Sequence, residues 1–434
     1  MEMDTGRSIQ EALRLGKPED IFFYTSSTTS KQAIPTIVDT KFYQSLTSLG
    51  AGSSTFIISN DQGLSDIILA VELPAQGENG TEYTGLAIPR AWLASLISRI
   101  SIRYGSSSQY FWSGMQCLIE NLREMPNPTT RDSMFELAGV NCIQLSDFQV
   151  LDNLQAYMYL NFPHNSPNGS MGKPNPLPTN LLNQPVVCTV EMNPLPNIFS
   201  KIAGSIGVAP SALKSAYFQV KQVHAKDTGD LMTVPGGGAY SFPTKSFYQN
   251  EIQVQLSNGG AVQPNGSVRY STLLTGFRSG EVRSIFFWIT KDSDVNGGST
   301  ANTVRNFTEF IIPRDVELLY NGTVYYRTFG TSTQMWSLIS TETPPQLNNT
   351  LLSVNATPAF VSTSSLRSWC EIPFGQVFEQ LSGSHMYVAG KNIQNAVINL
   401  NVAVPDGQAY TLHATYAYNC VLMIDSNKSC EYAF

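Results

Sequence analysis

Charge is the first thing this chain is short of. Only 14% of its 434 residues are Asp, Glu, Lys or Arg, against about a quarter in an ordinary soluble domain. The formal net charge is −7 and no run of Lys or Arg occurs, so direct nucleic-acid binding, which needs a basic surface, is not expected. Histidine is scarcer still. His164, His224, His385 and His413 are isolated, with no H-x-H or H-E-x-x-H spacing, so no metal and no cofactor is predicted. The six cysteines (Cys117, Cys142, Cys188, Cys370, Cys420, Cys430) form no C-x-x-C pair. No apolar signal segment follows "MEMDTGRSIQEALRLGKPED", so the expectation is an unsecreted chain with buried free thiols rather than disulfides. No stretch approaches the ~18 consecutive apolar residues of a membrane span, and a soluble chain is predicted. Neither a G-x-S-x-G elbow nor a Walker A loop is present. The glycine clusters "GAGSST" (50–55) and "PGGGAY" (235–240) lack the residues a phosphate cradle requires and read as turns. No catalytic residue emerges.

What fills the gap is Ser, Thr, Asn, Gly and Pro, with aromatics at 11%. That mixture suits strands and turns better than helices. The length exceeds one ordinary core and predicts two domains. Short segments rich in β-branched and aromatic residues, bounded by turn formers, recur along the whole chain. They are 36–43, 54–59, 66–73, 156–162, 185–192, 216–225, 251–256, 268–274, 282–290, 316–329, 395–404 and 410–424. In the last two, every second residue is apolar, which predicts strands with one buried face. Asn321-Gly322 sits between two strand-like runs and predicts a tight hairpin. His413 falls opposite the apolar face of the final strand and reads as a packing or surface residue. Long polar loops are expected at 163–180, 224–244, 291–306 and 330–365, and the halves divide near residue 226. A capped helix is predicted near Ser8–Leu15. Eight N-x-[ST] triplets, beginning at Asn79, Asn168, Asn265, Asn306, Asn321, Asn348, Asn355 and Asn427, are what an Asn/Ser/Thr-rich chain produces by chance.

One stretch changes period midway. In "WLASLISRISIRYGSSSQYFWSGMQCLIENL" (92–122), Trp92, Leu93, Leu96 and Ile97 recur at helical spacing. From Ile100 the period becomes two, with Ile100, Ile102 and Tyr104 on one side and Arg99, Ser101 and Arg103 on the other. Gly105–Ser108 is a turn, Tyr110–Trp112 an aromatic cluster, and Met115–Leu122 a second apolar segment.

Taken together, these patterns predict an all-β chain: two tandem eight-stranded antiparallel jelly rolls with short helices and long apical loops. The expected divisions are an arm at 1–33, a first roll at 34–226 and a second at 227–434. The 92–122 segment resembles the first-domain segment of the double jelly-roll major capsid proteins, the lineage of adenovirus hexon, large DNA viruses and virophages. There a Trp-led helix, an Ile-rich strand, a Gly turn, an aromatic and a second helix follow one another. "FELAGV" (135–140), "IPFGQVF" (372–378), "SGSHMYVAGKNIQNAVINLNV" (382–402) and "YAYNCVLMI" (416–424) resemble later segments of that family. The resemblance implies structural anchors at Trp92, Gly105, Trp112, Pro373, Phe374 and Asn419. It departs from the family at the turn, which is Gly105-Ser106-Ser107 with Gln109 offset where the family often has Gly-Gly-Gln. The C-terminal "DSNKSCEYAF" likewise lacks a Gly/Met-rich tail.

What the resemblance implies is assembly without turnover. The chain would be the major capsid protein of an icosahedral double-stranded DNA virus, with homotrimers forming pseudo-hexagonal capsomers that tile the shell. Its partners would be itself, in trimer and capsomer–capsomer contacts, with penton and minor or cement capsid proteins. An inner membrane is compatible but not indicated. The location would be the virion, after synthesis in the host cytoplasm. Two other classes fit a β-sandwich: a carbohydrate-binding or adhesin protein, expected to be monomeric with exposed aromatics on a concave face, and a glycoside hydrolase with paired carboxylates ~5–10 Å apart.

Overall fold

In a computed structural model of the chain, the described residues are 37–59, 63–107, 109–124, 133, 136–160, 177–201, 204–225, 240–248, 252–256, 267–277, 281–291, 313, 315–328, 370–373, 377–379, 385–387, 391–403, 410–424 and 427–433. The predicted Ser8–Leu15 helix, Phe374, and most of the long polar loops lie outside them.

Sixteen strands carry the architecture. In the first half they are β1 (Ile37–Ser45), β2 (Gly52–Ile58), β3 (Gly63–Glu72), β4 (Ile97–Arg103), β5 (Tyr110–Trp112), β6 (Gln155–Tyr159), β7 (Val186–Met192) and β8 (Ser215–Ala225). They form two antiparallel sheets, ordered β1-β8-β3-β6 and β2-β7-β4-β5. The second half contributes β9 (Tyr240–Tyr248), β10 (Ser267–Leu274), β11 (Glu281–Lys291), β12 (Asp315–Tyr320), β13 (Thr323–Thr328), β14 (Cys370–Pro373), β15 (Ala396–Ala403) and β16 (Tyr410–Ile424). Their sheets run β9-β16-β11-β14 and β10-β15-β12-β13. Adding eight to each label of the first pair of sheets gives the second pair. In each half the first strand lies beside the last, and the second beside the seventh. That is the jelly-roll connection, in which two Greek keys fold a long hairpin over on itself.

Short accessory strands extend these sheets. Ile252–Leu256 and Cys430–Ala433 both pair with β16, and Lys391–Asn392 pairs with β11. Two results depart from the sequence reading. The predicted loop at 224–244 ends in strand β9, whose Tyr240 and Pro243 pair with Ile424 and Val421. Pro243 is tolerated because β9 flanks β16 alone in the order of its sheet, and a proline lacks only the donor that an edge can spare. The C-terminal Cys430–Ala433 strand was not predicted; its four residues are too few to show a period.

The cores follow from alternation. In the first sandwich Phe56, Ile100, Ile102, Cys188 and Val190 on one sheet face Ile67, Leu69, Phe218 and Val220 on the other, all buried. Phe56 and Phe218 stack across the gap at 4.0 Å. In the second, Tyr270, Leu318, Ile398 and Leu400 face Ile285, Phe287, Leu412 and Tyr416. The Asn321-Gly322 turn closes β12 onto β13 with φ of 50° and 74°, the paired left-handed residues of a type I′ hairpin. Among the described residues of the first half, the strands are interrupted by helices α1 (Trp92–Leu96), α2 (Gly114–Glu124), α3 (Leu145–Phe148) and α4 (Leu151–Leu154). Among the described residues no helix is long and apolar enough to cross a membrane.

Candidate functional site at the junction of the two sandwiches

The change of period at 92–122 lies where the two sandwiches meet. Helix α1 stops at Leu96 and Ile97 begins β4 without a loop. Ile100, Ile102 and Tyr104 are buried while Arg99 and Arg103 are exposed, as the alternation predicts. Ser101 is the exception: it is buried and accepts a hydrogen bond from Gln109 Nε2 at 2.7 Å. On the outward face, Arg99 lies 4.4 Å over the Phe111 ring and 3.0 Å from Glu191.

Trp92 is fully buried, and its indole lies against Gly139. A Cβ at Gly139 would come within 2.4 Å of the ring, and its φ of 123° is one that side chains rarely adopt. Backbone bonds from Ala91 N–H to Gly139 O (2.7 Å) and from Leu93 N–H to Ala138 O (3.0 Å) fix the two segments together. The glycine of "FELAGV" is therefore the floor on which the tryptophan rests. Gly114, at the start of α2, is bare for a similar reason: a Cβ there would meet Ala94 O at 2.4 Å. Trp112 is buried beside Tyr110, with ring centroids 6.5 Å apart.

Helix α2 follows β5 directly and is tied to β6 by Asn121 Nδ2, which donates to Tyr159 O at 2.8 Å. Its other side reaches the second sandwich. Gln116, fully buried, donates from Nε2 to Glu120 Oε1 (3.0 Å) and to Thr415 Oγ1 on β16 (3.1 Å). A second tie forms at the Gly105 turn. Gly105 has φ 57°, and a Cβ there would lie 2.8 Å from Asn183 Oδ1. Asn183 donates from its backbone N–H to Lys428 O (3.0 Å) and from Nδ2 to Ser106 Oγ (2.9 Å), while Ser106 Oγ is 3.4 Å from Ser429 Oγ. The turn thus docks on the chain's C-terminal segment, a partner that no spacing in the sequence discloses.

This junction explains why "VRSIFFWIT" shows no alternation. On β11, Ile285, Phe287 and Ile289 point into their own core, while Ser284, Phe286, Trp288 and Thr290 point out toward the side where α2 meets Thr415. All seven are at most 4% exposed. A strand buried on both faces reads as a continuous apolar run. His413 shares that outward face, stacked on Trp288 at 5.3 Å and bonded through Nε2 to Thr290 Oγ1 at 2.7 Å. It packs, as its position opposite the apolar face suggested.

Of the other anchors, Pro373 ends β14, paired with Ser284, and Asn419 lies within β16. Among the described residues no group of three or more His, Cys, Asp or Glu converges. Cys117, Cys142, Cys188 and Cys430 are buried and form no disulfide. Burial and the nearby Asp147 push the Cys142 thiol up to about 12, and burial raises Cys188 as well. Cys142 and Cys188 thus have the raised, buried thiols of core residues rather than the lowered ones of nucleophiles.

No protein-family model matches the chain, and no curated protein matches it. Solved structures do. A crystal structure of PBCV-1 VP54, fitted into a reconstruction of the virophage Sputnik, aligns over 94% of this chain and 99% of its own, with TM-score 0.59 and 12% identity. The Faustovirus major capsid protein aligns over 91% and 92%, with TM-score 0.55 and 8% identity. The Sputnik virophage structure itself aligns over 94% and 91%, with TM-score 0.54 and 12% identity. The chain has the double jelly-roll fold of viral major capsid proteins. The likeness spans both sandwiches of the double jelly-roll, so the pairing of rolls is shared along with each roll.

Proposed function

We propose that this chain is the major capsid protein of an icosahedral DNA virus, acting by assembly and carrying no turnover. The observation that carries the reading is end-to-end likeness to capsid proteins combined with a buried, hydrogen-bonded junction between two rolls of identical strand order. A rigid pair of similar walls is the unit from which three copies, related by a cyclic axis, make a six-walled block able to tile a hexagonal lattice. In this reading the rolls span 34–226 and 227–434 after an arm at 1–33. Trp92, Gly105 and Trp112 hold the first roll's helix-to-strand junction, and Pro373, Phe374 and Asn419 serve the closing strands of the second. The partners are further copies of itself, then penton and minor capsid proteins, and the location is the virion after synthesis in the host cytoplasm.

Expression of the full chain followed by light scattering tests the reading. A mass three times that of the chain, stable to dilution, is expected, with hexagonal blocks by electron microscopy. A stable monomer at high concentration would overturn it.

A further inference from the structure

The sheets β2-β7-β4-β5 and β10-β15-β12-β13 are equivalent in topology, but the polar side chains on their outward faces are not equally satisfied. On the first roll, Thr55 and Thr189 stand opposite each other and share a hydrogen bond at 2.9 Å. Ser101 accepts from Gln109, and Arg99 pairs with Glu191. The counterparts of the two threonines on the second roll are Ser271 and Asn399, again opposite each other in register. Among the described residues, neither makes a side-chain hydrogen bond. Asn321 on the β12–β13 turn and Asn395 just before β15 are in the same condition. These four side chains line one open cavity of about 580 Å³, within the ~300–1,000 Å³ range of small-molecule sites.

Two further features restrict what the cavity can hold. Arg269 also lines it, but Glu317 Oε2 lies 3.3 Å from its guanidinium, so that charge is matched within the chain. Beside the polar row, Leu273, Val397 and Leu319 fall in one line across β10, β15 and β12 and give the cavity an aliphatic wall, with Leu273 51% exposed. Side-chain amides and hydroxyls both donate and accept. A matching ligand therefore carries several groups that do both, no net charge and one apolar face. We infer that this cavity is a binding site for a neutral saccharide. Its hydroxyls meet Ser271, Asn321, Asn395 and Asn399, and the C–H face of a sugar ring lies on Leu273 and Val397. A purely apolar ligand would cover the aliphatic wall but displace water from three amides without replacing its bonds. An anion would have to compete with Glu317 for Arg269. The cavity is built from the second roll alone, so the inference does not depend on the assembly proposed above.

The test is saturation-transfer NMR on the full chain. The probes are glucose, mannose, galactose and N-acetylglucosamine, the trisaccharide of each, and sialic acid as an anionic comparison. At least one neutral trisaccharide is expected to bind, with saturation concentrated on the C–H protons of one ring face. Asn399→Ala and Asn395→Ala should each weaken that binding by about tenfold or more. Thr55→Ala, on the equivalent face of the first roll, should leave it unchanged, and melting temperatures near that of the wild type show that the variants fold. No binding by any neutral probe would overturn the inference. So would tighter binding of sialic acid, or an affinity that both asparagine variants leave unmoved. Each of these outcomes leaves the capsid reading standing, since that is decided by the mass of the assembled chain.

Discussion

Trp92 and Gly139 offer the sharpest test of the junction, because the glycine is explained by the tryptophan. Trp92 is 0% exposed, and truncating a buried aromatic to alanine costs about 3–5 kcal/mol. At roughly 2–4 °C per kcal/mol for a domain of this size, Trp92→Ala should lower the first roll's melting temperature by about 6–20 °C. Gly139→Ala should also destabilise, on two counts. Its φ of 123° disfavours any Cβ, and that Cβ would stand 2.4 Å from the indole; backbone strain and overpacking cost about 1–3 kcal/mol each. The two causes separate in the double variant. With the ring gone the collision disappears and only the backbone strain remains, so the combined loss should fall short of the sum by about 1–3 kcal/mol. Urea unfolding of all four proteins, at one fixed concentration because association stabilises by mass action, gives the coupling. Strict additivity would refute the close packing of Trp92 on Gly139. An unshifted midpoint for Trp92→Ala would refute its placement in the core.

Gln116→Leu should cost about 1–3 kcal/mol, since the Thr415 hydroxyl and the Glu120 carboxyl both lose a buried donor. Thr415→Val in that background should add little, as urea midpoints would show. Gly322→Val should destabilise the β12–β13 hairpin by about 1–2 kcal/mol, because φ is 74° there, whereas Gly322→Asn should be nearly neutral by the same assay. Stability should fall as pH rises between about 9 and 12. The folded Cys142 thiol is pushed up to about 12 from an ordinary value near 9, so the native state holds a proton that the unfolded state has released. Burial raises Tyr83 and Tyr416 in the same direction. A melting temperature that is flat across that range would contradict the burial of these groups.

Strands were legible in this sequence wherever one face meets a core and the other meets solvent. Ala396–Ala403 and Tyr410–Ile424 alternate, and they fold as they read. The left-handed pair Asn321-Gly322 was legible because so few residues tolerate those angles. Illegible segments share a different cause: their partners are remote in sequence. Gly105 reads as a turn, but nothing near it announces Asn183 or the Lys428–Ser429 segment. Gln116 looks like one polar position on an amphipathic helix, and its burial depends on Thr415, 299 residues away. Strand β9 was hidden by its glycine- and proline-rich approach, and is held by pairing with β16 rather than by its own pattern.

The two halves share one strand order but not the residues on their outward faces, and the junction supplies a physical reason. Equivalent strands of the two rolls do not share an environment. β3 borders solvent on its outward side and carries Asp66, Ile68 and Glu72 there, all half-buried, whereas its counterpart β11 is sealed and carries Phe286, Trp288 and Thr290. Exchanging the two patterns would bury carboxylates without partners in one roll and expose a large apolar face in the other, each costing several kcal/mol. Topology can therefore be kept while outward-facing side chains diverge, and the direction of divergence marks which face is already covered within the chain. By that criterion the sealed outward face of β11 belongs to a contact made as the chain folds.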